Sequence, residues 1–177
     1  MLVRQATRED ADAIAAVQVR AWQSTYGNFI PEDCMESVVS IERAWDRWHK
    51  ILDKDGSTNH VYVGLNAENK VVGFVSGGKN RSEPAGFDAE MYALYILKEE
   101  QGKGMGKALT REFVRHLDGE GFKSMVAWVF PFNPYRRFYE KLGGELLGQV
   151  QNVELGDRTF PSIGYGWGNF EAIKKAT

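Results

Sequence analysis

Cysteine is almost missing from this chain of 177 residues: Cys34 stands alone. That excludes an internal disulfide framework and any zinc site built from several cysteines. Neither sign of charge dominates, since 22 Lys and Arg face 24 Asp and Glu for a net −2 with the three His neutral. A pI near 6.0 leaves no polybasic surface that net charge could drive onto nucleic acid or a membrane, although a local basic patch stays open. Nowhere do ~18 apolar residues run together, as a bilayer span needs. Met1 to Gln5 lacks the apolar core of a secretory signal. What is present is ordinary for a globular domain: 43% hydrophobic, 26% charged and 12% aromatic residues. A chain of this length can bury ~70% of its unfolded surface. The expectation is one soluble, cytoplasmic domain over residues 1–177.

No repeat, low-complexity tract or linker divides it. Leu2 to Gln5 reads as a short strand. Thr7 and Asp10 have the spacing of a capping box for a helix that carries Ala11, Ile14 and Ala15 to about Trp22. Pro31 opens a second helix, and Ile41, Ala44, Trp45, Trp48, Ile51 and Leu52 form the stripe of a third. After a polar turn over Asp53 to Asn59, Val61–Leu65 and Val71–Val75 form an antiparallel hairpin. Asn80 to Asp88 is a loop. Met91–Leu97 and Met125–Phe130 are apolar on both alternating faces, the mark of strands buried on both sides. A helix from Met105 through Ala108, Leu109, Phe113 and Leu117 to Gly119 lies between them. Asn133–Pro134 opens a short helix closed by Gly143–Gly144, and a hairpin, Glu145–Leu155 and Arg158–Trp167, ends the pattern. The order β-α-α-α-β-β-β-α-β-α-β-β predicts an α/β fold, a single mixed sheet with helices on both faces.

The glycines between the Met91–Leu97 strand and the next helix form the first chemical site. Glycine permits positive φ and close approach of a ligand to backbone amides, and a helix N-terminus favours phosphate. A plain turn into a helix would use the same residues. A P-loop is excluded because Gln101 and Ala108 stand where Gly and Ser or Thr are required, and a dinucleotide fingerprint because Lys107 or Leu109 replaces its last glycine.

Gln101, Gly104 and Gly106 match the acetyl-CoA signature of the GCN5-related N-acetyltransferases (GNAT), Gln/Arg-x-x-Gly-x-Gly/Ala at a strand-to-helix junction. Asn133 to Gly143 resembles the same family's Asn-x-x-(Ala/Arg)-x-x-Phe-Tyr-Glu-Lys-x-Gly segment, and Val3 to Thr7 with Asp10 its opening strand and turn. Lys98 departs from the proline many members carry. The resemblance implies a mostly antiparallel sheet of six to seven strands with a splay between central parallel strands. It implies acetyl-CoA as donor, a small or peptide amine as acceptor, and no metal. Backbone from Gln101 through Gly102, Lys103, Gly104, Met105 and Gly106 to Lys107 would hold the pyrophosphate. The pantetheine arm would lie along Tyr95, Ile96 and Leu97, with Asn133 near the thiol; Arg136, beside Arg137, is either part of a solvated face or a contact to the 3′-phosphate. Tyr139 would be the general acid.

Elementary chemistry sets the remaining needs. An alkylamine with pKa near ~10.4 must lose a proton before it attacks, so a base or a water chain is required. A tetrahedral oxyanion needs fixed donors, such as a strand amide at Ile96 or Leu97 freed by the splay. A thiol leaving group of pKa ~8.5 gains only modestly from an acid. Glu90 lies, by alternation, on one strand face with Tyr92, Leu94 and Ile96. It is either the base or a carboxylate solvated at the strand mouth; Asp88 and Glu83 are remoter bases. Trp22 and Tyr26 either wall the acceptor cleft or join the core, whereas Trp45 and Trp48 read as core. Cys34 lacks the partners of a nucleophile and reads as a packed thiol. His49, His60 and His116 show no ligand spacing. A binding module without catalysis and a protein N-terminal or lysine acetyltransferase are the alternatives. Trp167 and Phe170 leave a homodimer through the last hairpin open.

Overall fold

Thr7 and Asp10 start the first helix as their spacing predicts. The computed structural model describes residues 1–53, 58–82 and 86–177; part of the expected turn between Asp53 and Asn59, and Glu83, lie outside them. The Thr7 N–H donates to the Asp10 carboxylate at 2.8 Å, and both terminal nitrogens of Arg4 reach the same group at 2.7 and 2.8 Å. The buried carboxylate thereby ties the first strand, β1 (Leu2–Gln5), to the helix that follows, α1 (Ala11–Tyr26).

Then come α2 (Glu32–Val39), α3 (Ile41–Leu52), β2 (Asn59–Leu65), β3 (Val71–Lys79), β4 (Ala89–Ile96) and α4 (Met105–Gly119). β5 (Met125–Val129), α5 (Arg137–Lys141), β6 (Glu145–Leu155), β7 (Arg158–Trp167) and α6 (Glu171–Ala176) complete the chain. Seven strands form one sheet in the order β1-β2-β3-β4-β5-β7-β6. Among the described residues only β4 and β5 run parallel. α1 lies on one face against β3 and β4, with α3 beside it; α4 covers β2, β3 and β4 on the other. A buried bond from the Trp48 indole N–H to Gln18, 2.8 Å, joins α3 to α1. This is the mixed α/β sheet the sequence predicts, with the splay: β4 and β5 pair from Ala89/Met125 to Met91/Ala127 and then part.

Several boundaries differ from expectation. α1 continues to Tyr26, because its hydrogen bonds run on to Gly27, whose N–H donates to Gln23. Thr25 and Tyr26 therefore sit on the last helical turn. Trp45 is 45% exposed while Trp48 is buried, so only one of the two indoles belongs to the core. α6 was not foreseen; it docks on α4 through the fully buried Ile173 and a Lys174–Asp118 ion pair of 2.9 Å. Trp167 and Phe170 are buried inside the chain's own core, which leaves neither free to pair two chains.

One irregularity redirects side chains. Met91 opposes Gly77 and Ala93 opposes Ser76, so Tyr92 is an extra residue on β4, a bulge that resets the alternation. Tyr95 lies opposite Phe74, which packs on Trp48 of α3. Ile96 lies opposite Gly73, where a side chain would meet Leu109 of α4. Counting back across the bulge puts Glu90 and Tyr92 on the α1/α3 face with Tyr95, and Leu94 and Ile96 on the α4 face. The single face expected for Glu90, Tyr92, Leu94 and Ile96 is thus divided.

Burial alone would raise the Asp10 carboxyl, but hydrogen bonds from Arg4 and Thr7 and the Arg4 charge outweigh it and hold the group below its ordinary 3.8. A depressed native pKa contributes stability above the unfolded value that is lost as pH falls through the native one. Asp10→Ala should lower unfolding free energy by about 2 kcal/mol near neutrality. In urea titrations at several pH values that deficit should be flat above about pH 5 and shrink below the unfolded pKa. A deficit that grows in acid would refute the role.

Candidate active site

The parting of β4 from β5 exposes one edge of β4. The Leu97 N–H donates to Val72 on β3 at 2.9 Å. By strand alternation the N–H groups of Leu94 and Ile96 then point the other way, into the splay. The Leu97 N–H is therefore not free to serve as an oxyanion donor, whereas the Ile96 N–H faces the splay. The Gln101 side chain donates to the Ile96 carbonyl at 3.1 Å, satisfying one acceptor the missing strand leaves. Gly102 (φ +75°) and Gly104 (φ +90°) turn the chain with positive φ into α4. Gly104 caps that helix without a side chain, and no acidic residue lies in its first turn. The N–H groups of Met105, Gly106 and Lys107 therefore lack intrahelical acceptors and form the positive end of a 15-residue helix. Gly106 serves close packing, since a Cβ there would lie 3.1 Å from the Phe138 ring and 3.3 Å from Ile96.

These groups open into a cleft of about 600 Å³. Of the residues singled out from the sequence, Tyr26, Tyr95, Ile96, Gln101, Gly102, Gly104, Met105, Gly106, Lys107, Asn133 and Tyr139 line it. Asn133 Nδ2 donates to the Tyr26 hydroxyl at 2.7 Å, joining the segment after β5 to the end of α1. The Tyr139 ring stacks on Tyr165 with centroids 5.6 Å apart. Burial pushes the Tyr139 phenol far above its ordinary range, with Tyr95 and Tyr165 adding to the shift. Tyr26 shifts the same way, by burial first and then by Tyr95 and Tyr139, and the Asn133 bond offsets only part. All these phenols therefore keep their protons at any working pH. Behind Tyr26, Trp22 packs at 4.8 Å and Phe130 at 5.4 Å.

Other expected residues stand outside the walls. Trp22 is buried behind Tyr26 and belongs to its aromatic cluster. Lys103 pairs with Glu100 at 3.0 Å. Arg136 reaches the Tyr165 hydroxyl at 3.2 Å and Glu140 at 3.8 Å, so its charge is already engaged. Glu90 is buried and accepts from the Arg81 N–H at 3.0 Å, with the Arg81 guanidinium 3.9 Å away. The Arg81 guanidinium lies 3.3 Å over the Tyr92 ring, and Tyr92 does line the cleft. Asp88 accepts from the Lys123 and Ser124 N–H groups at 2.8 and 3.2 Å, a tie between the starts of β4 and β5. Sequence reasoning missed Thr25, Tyr92 and Trp128 as lining residues. The length of α1 and the bulge decide the first two, and neither has a local signal.

A family model described as Acetyltransferase (GNAT) family matches residues 18–144. An uncharacterized N-acetyltransferase of Bacillus subtilis, YuaI, is 36% identical over 172 residues, covering 97% of this chain and 95% of that protein. A phosphinothricin N-acetyltransferase of Streptomyces viridochromogenes is 23% identical over 172 residues, covering 96% and 87%. The crystal structure of PaiA N-acetyltransferase from Thermoplasma acidophilum in complex with coenzyme A has the same fold. Its TM-score is 0.69 at 20% identity, with 93% of this chain and 96% of that one covered.

Space around Gly104 is open, the nearest atom to an added Cβ being Met1 Cε at 4.0 Å, so the constraint there is conformational. Gly104→Ala should lower unfolding free energy by about 1–2 kcal/mol. Gly104→Asn should lose less, because Asn tolerates positive φ. Chemical denaturation of both variants decides, and equal losses would mean that φ is not the constraint.

Proposed function

The chain belongs to the acetyltransferase (GNAT) family, and we propose that this acetyltransferase moves acetyl from acetyl-CoA to a small primary amine by direct attack in a ternary complex. One observation carries the reading: the free edge of β4, the N-terminus of α4 and the protonated Tyr139 phenol all open into one cleft. The amides of residues 102–107 suit a pyrophosphate, and the positive helix end adds to them. The Leu94 and Ile96 N–H groups suit the amide-bearing arm of the donor as a neighbouring strand would. Near the reacting carbonyl the Ile96 N–H stabilises the oxyanion, and Asn133 orients the arm's thiol end.

The Tyr139 O–H donates to the departing sulfur. Its raised pKa keeps the phenol protonated but makes full transfer to a thiolate of pKa ~8.5 uphill, so the phenol acts mainly as a hydrogen-bond donor to the sulfur and regains from solvent any proton it gives. Glu90 takes the proton of the acceptor ammonium through water. Its place on the α1/α3 face with Tyr92 and Tyr95 supports this, although it stands outside the cleft wall. The acceptor sits at the aromatic end by Tyr26, which Trp22 backs. Similarity over nearly the full chain to a phosphinothricin N-acetyltransferase favours a small acceptor over a protein terminus. Cys34 takes no part, being buried in the aromatic cluster.

Release of free thiol from acetyl-CoA across a panel of amines and peptides tests the assignment. Tyr139→Phe should reduce kcat by ~10- to 100-fold, toward the low end of what a positioned acid supplies. That loss should shrink above the thiol pKa, where the thiolate leaves unaided. Glu90→Gln should regain rate as pH rises toward the amine pKa and more acceptor is already neutral. Cys34→Ala should turn over normally. Parallel initial-velocity lines, or acetylated Cys34, would overturn direct transfer.

A further inference from the structure

Two histidines that sequence spacing leaves unrelated meet at the far end of α4. His116 and Glu120 are four residues apart and so share one helix face. His60, on β2 opposite Gly77, comes up beneath them. Its Nε2 lies 2.9 Å from one Glu120 oxygen, and His116 Nε2 lies 3.2 Å from the other. The imidazole centroids are 4.4 Å apart, and the ligating atoms of all three side chains fall within 4.8 Å of one another.

We propose that His60, His116 and Glu120 bind one divalent transition-metal ion, Zn²⁺ being the best fit. Zinc takes imidazole nitrogen and carboxylate oxygen at about 2.0–2.2 Å in a tetrahedron, which sets donors about 3.3 Å apart. The two His–Glu separations, 2.9 and 3.2 Å, fall just short of that value, and all three donors lie within 4.8 Å. Each ring would carry its proton on Nδ1 and turn Nε2 to the ion. Glu120, 43% exposed at its side chain beside the more covered His60 and His116, leaves the fourth position to water. The site is about 18 Å along α4 from Gly104, at 1.5 Å per residue. The ion therefore acts as a staple between β2 and the end of α4 rather than in acetyl transfer, and the inference stands independently of the proposed chemistry. Another group among the described residues, Asp33, Cys34 and Asp157, also has donors this close, but there Cys34 is fully buried.

The test is calorimetric titration of ZnCl₂ into EDTA-stripped protein that carries no polyhistidine tag, with thermal unfolding in parallel. One saturable site and a melting temperature that rises with free Zn²⁺ are expected, as mass action requires of a ligand of the folded state. His60→Gln, His116→Gln and Glu120→Gln, each checked for folding by circular dichroism, should weaken binding beyond the ~10- to 100-fold typical of an outer-shell partner. Co²⁺ in the unmutated protein should give the visible bands of a tetrahedral centre, a readout that needs no variant. Absence of saturable binding would overturn the proposal. Binding that survives His116→Gln but is lost in Cys34→Ala would do the same.

Discussion

Past Met91 and Ala127 the strands β4 and β5 lose each other's hydrogen bonds, and buried N–H and C=O groups left bare cost about 1–3 kcal/mol each. Much of the surrounding structure answers that deficit or keeps it open. Gln101 fills one place with its side-chain amide on the Ile96 carbonyl. β7 pairs with β5 along its length, from Met125/Trp167 to Val129/Ile163, and holds it on the far side. At the mouth, Tyr26, Phe130 and Phe132 pack edge to face and ring on ring, a wedge too bulky for the strands to close over. A flexible aliphatic filling would let the gap collapse. Rigid rings and a bond from Asn133 to Tyr26 oppose that collapse.

Much of this was legible in the residues, for reasons that can be named. Apolar side chains on both alternating faces marked β4 and β5 as interior strands, because helices must cover both sides of them. The glycines at 102, 104 and 106 marked the turn into α4, since two of them adopt a φ that other residues resist. The bulge at Tyr92 had no such mark. Nothing in Met91–Tyr92–Ala93 departs from a regular strand pattern, and the extra residue appears only when β3 supplies Gly77 and Ser76 as partners. Regular alternation therefore puts Glu90 and Leu94 on one face, and the bulge separates them. α6 was equally silent, six residues long and without a side-chain cap, held by Ile173 and by Lys107 Nζ on the Ala176 carbonyl at 2.7 Å. His60 and His116, on a strand and a helix far apart in sequence, could be joined only by the fold. In each case tertiary contact, not local propensity, decides the outcome.

Charge shows the same division between global count and local arrangement. A net of −2 describes no part of the cleft. At one end, unpaired amides and the helix dipole present partial positive charge with no acidic side chain in the first turn, an environment for an anion. At the other end, the Tyr26 and Tyr139 phenols keep their protons and stand beside the neutral side chains of Thr25 and Asn133. Glu90, outside the cleft wall, is held by the Arg81 N–H and guanidinium. A cation entering there would meet aromatic faces and neutral hydroxyls first and the carboxylate only at a distance. On the proposed chemistry, such a wall suits a neutral amine better than an ammonium bound tightly to an acid. Glu100, a carboxylate that does line the cleft, stands next to Gln101 and is paired with Lys103 at 3.0 Å, so it leaves the aromatic end without an acid of its own.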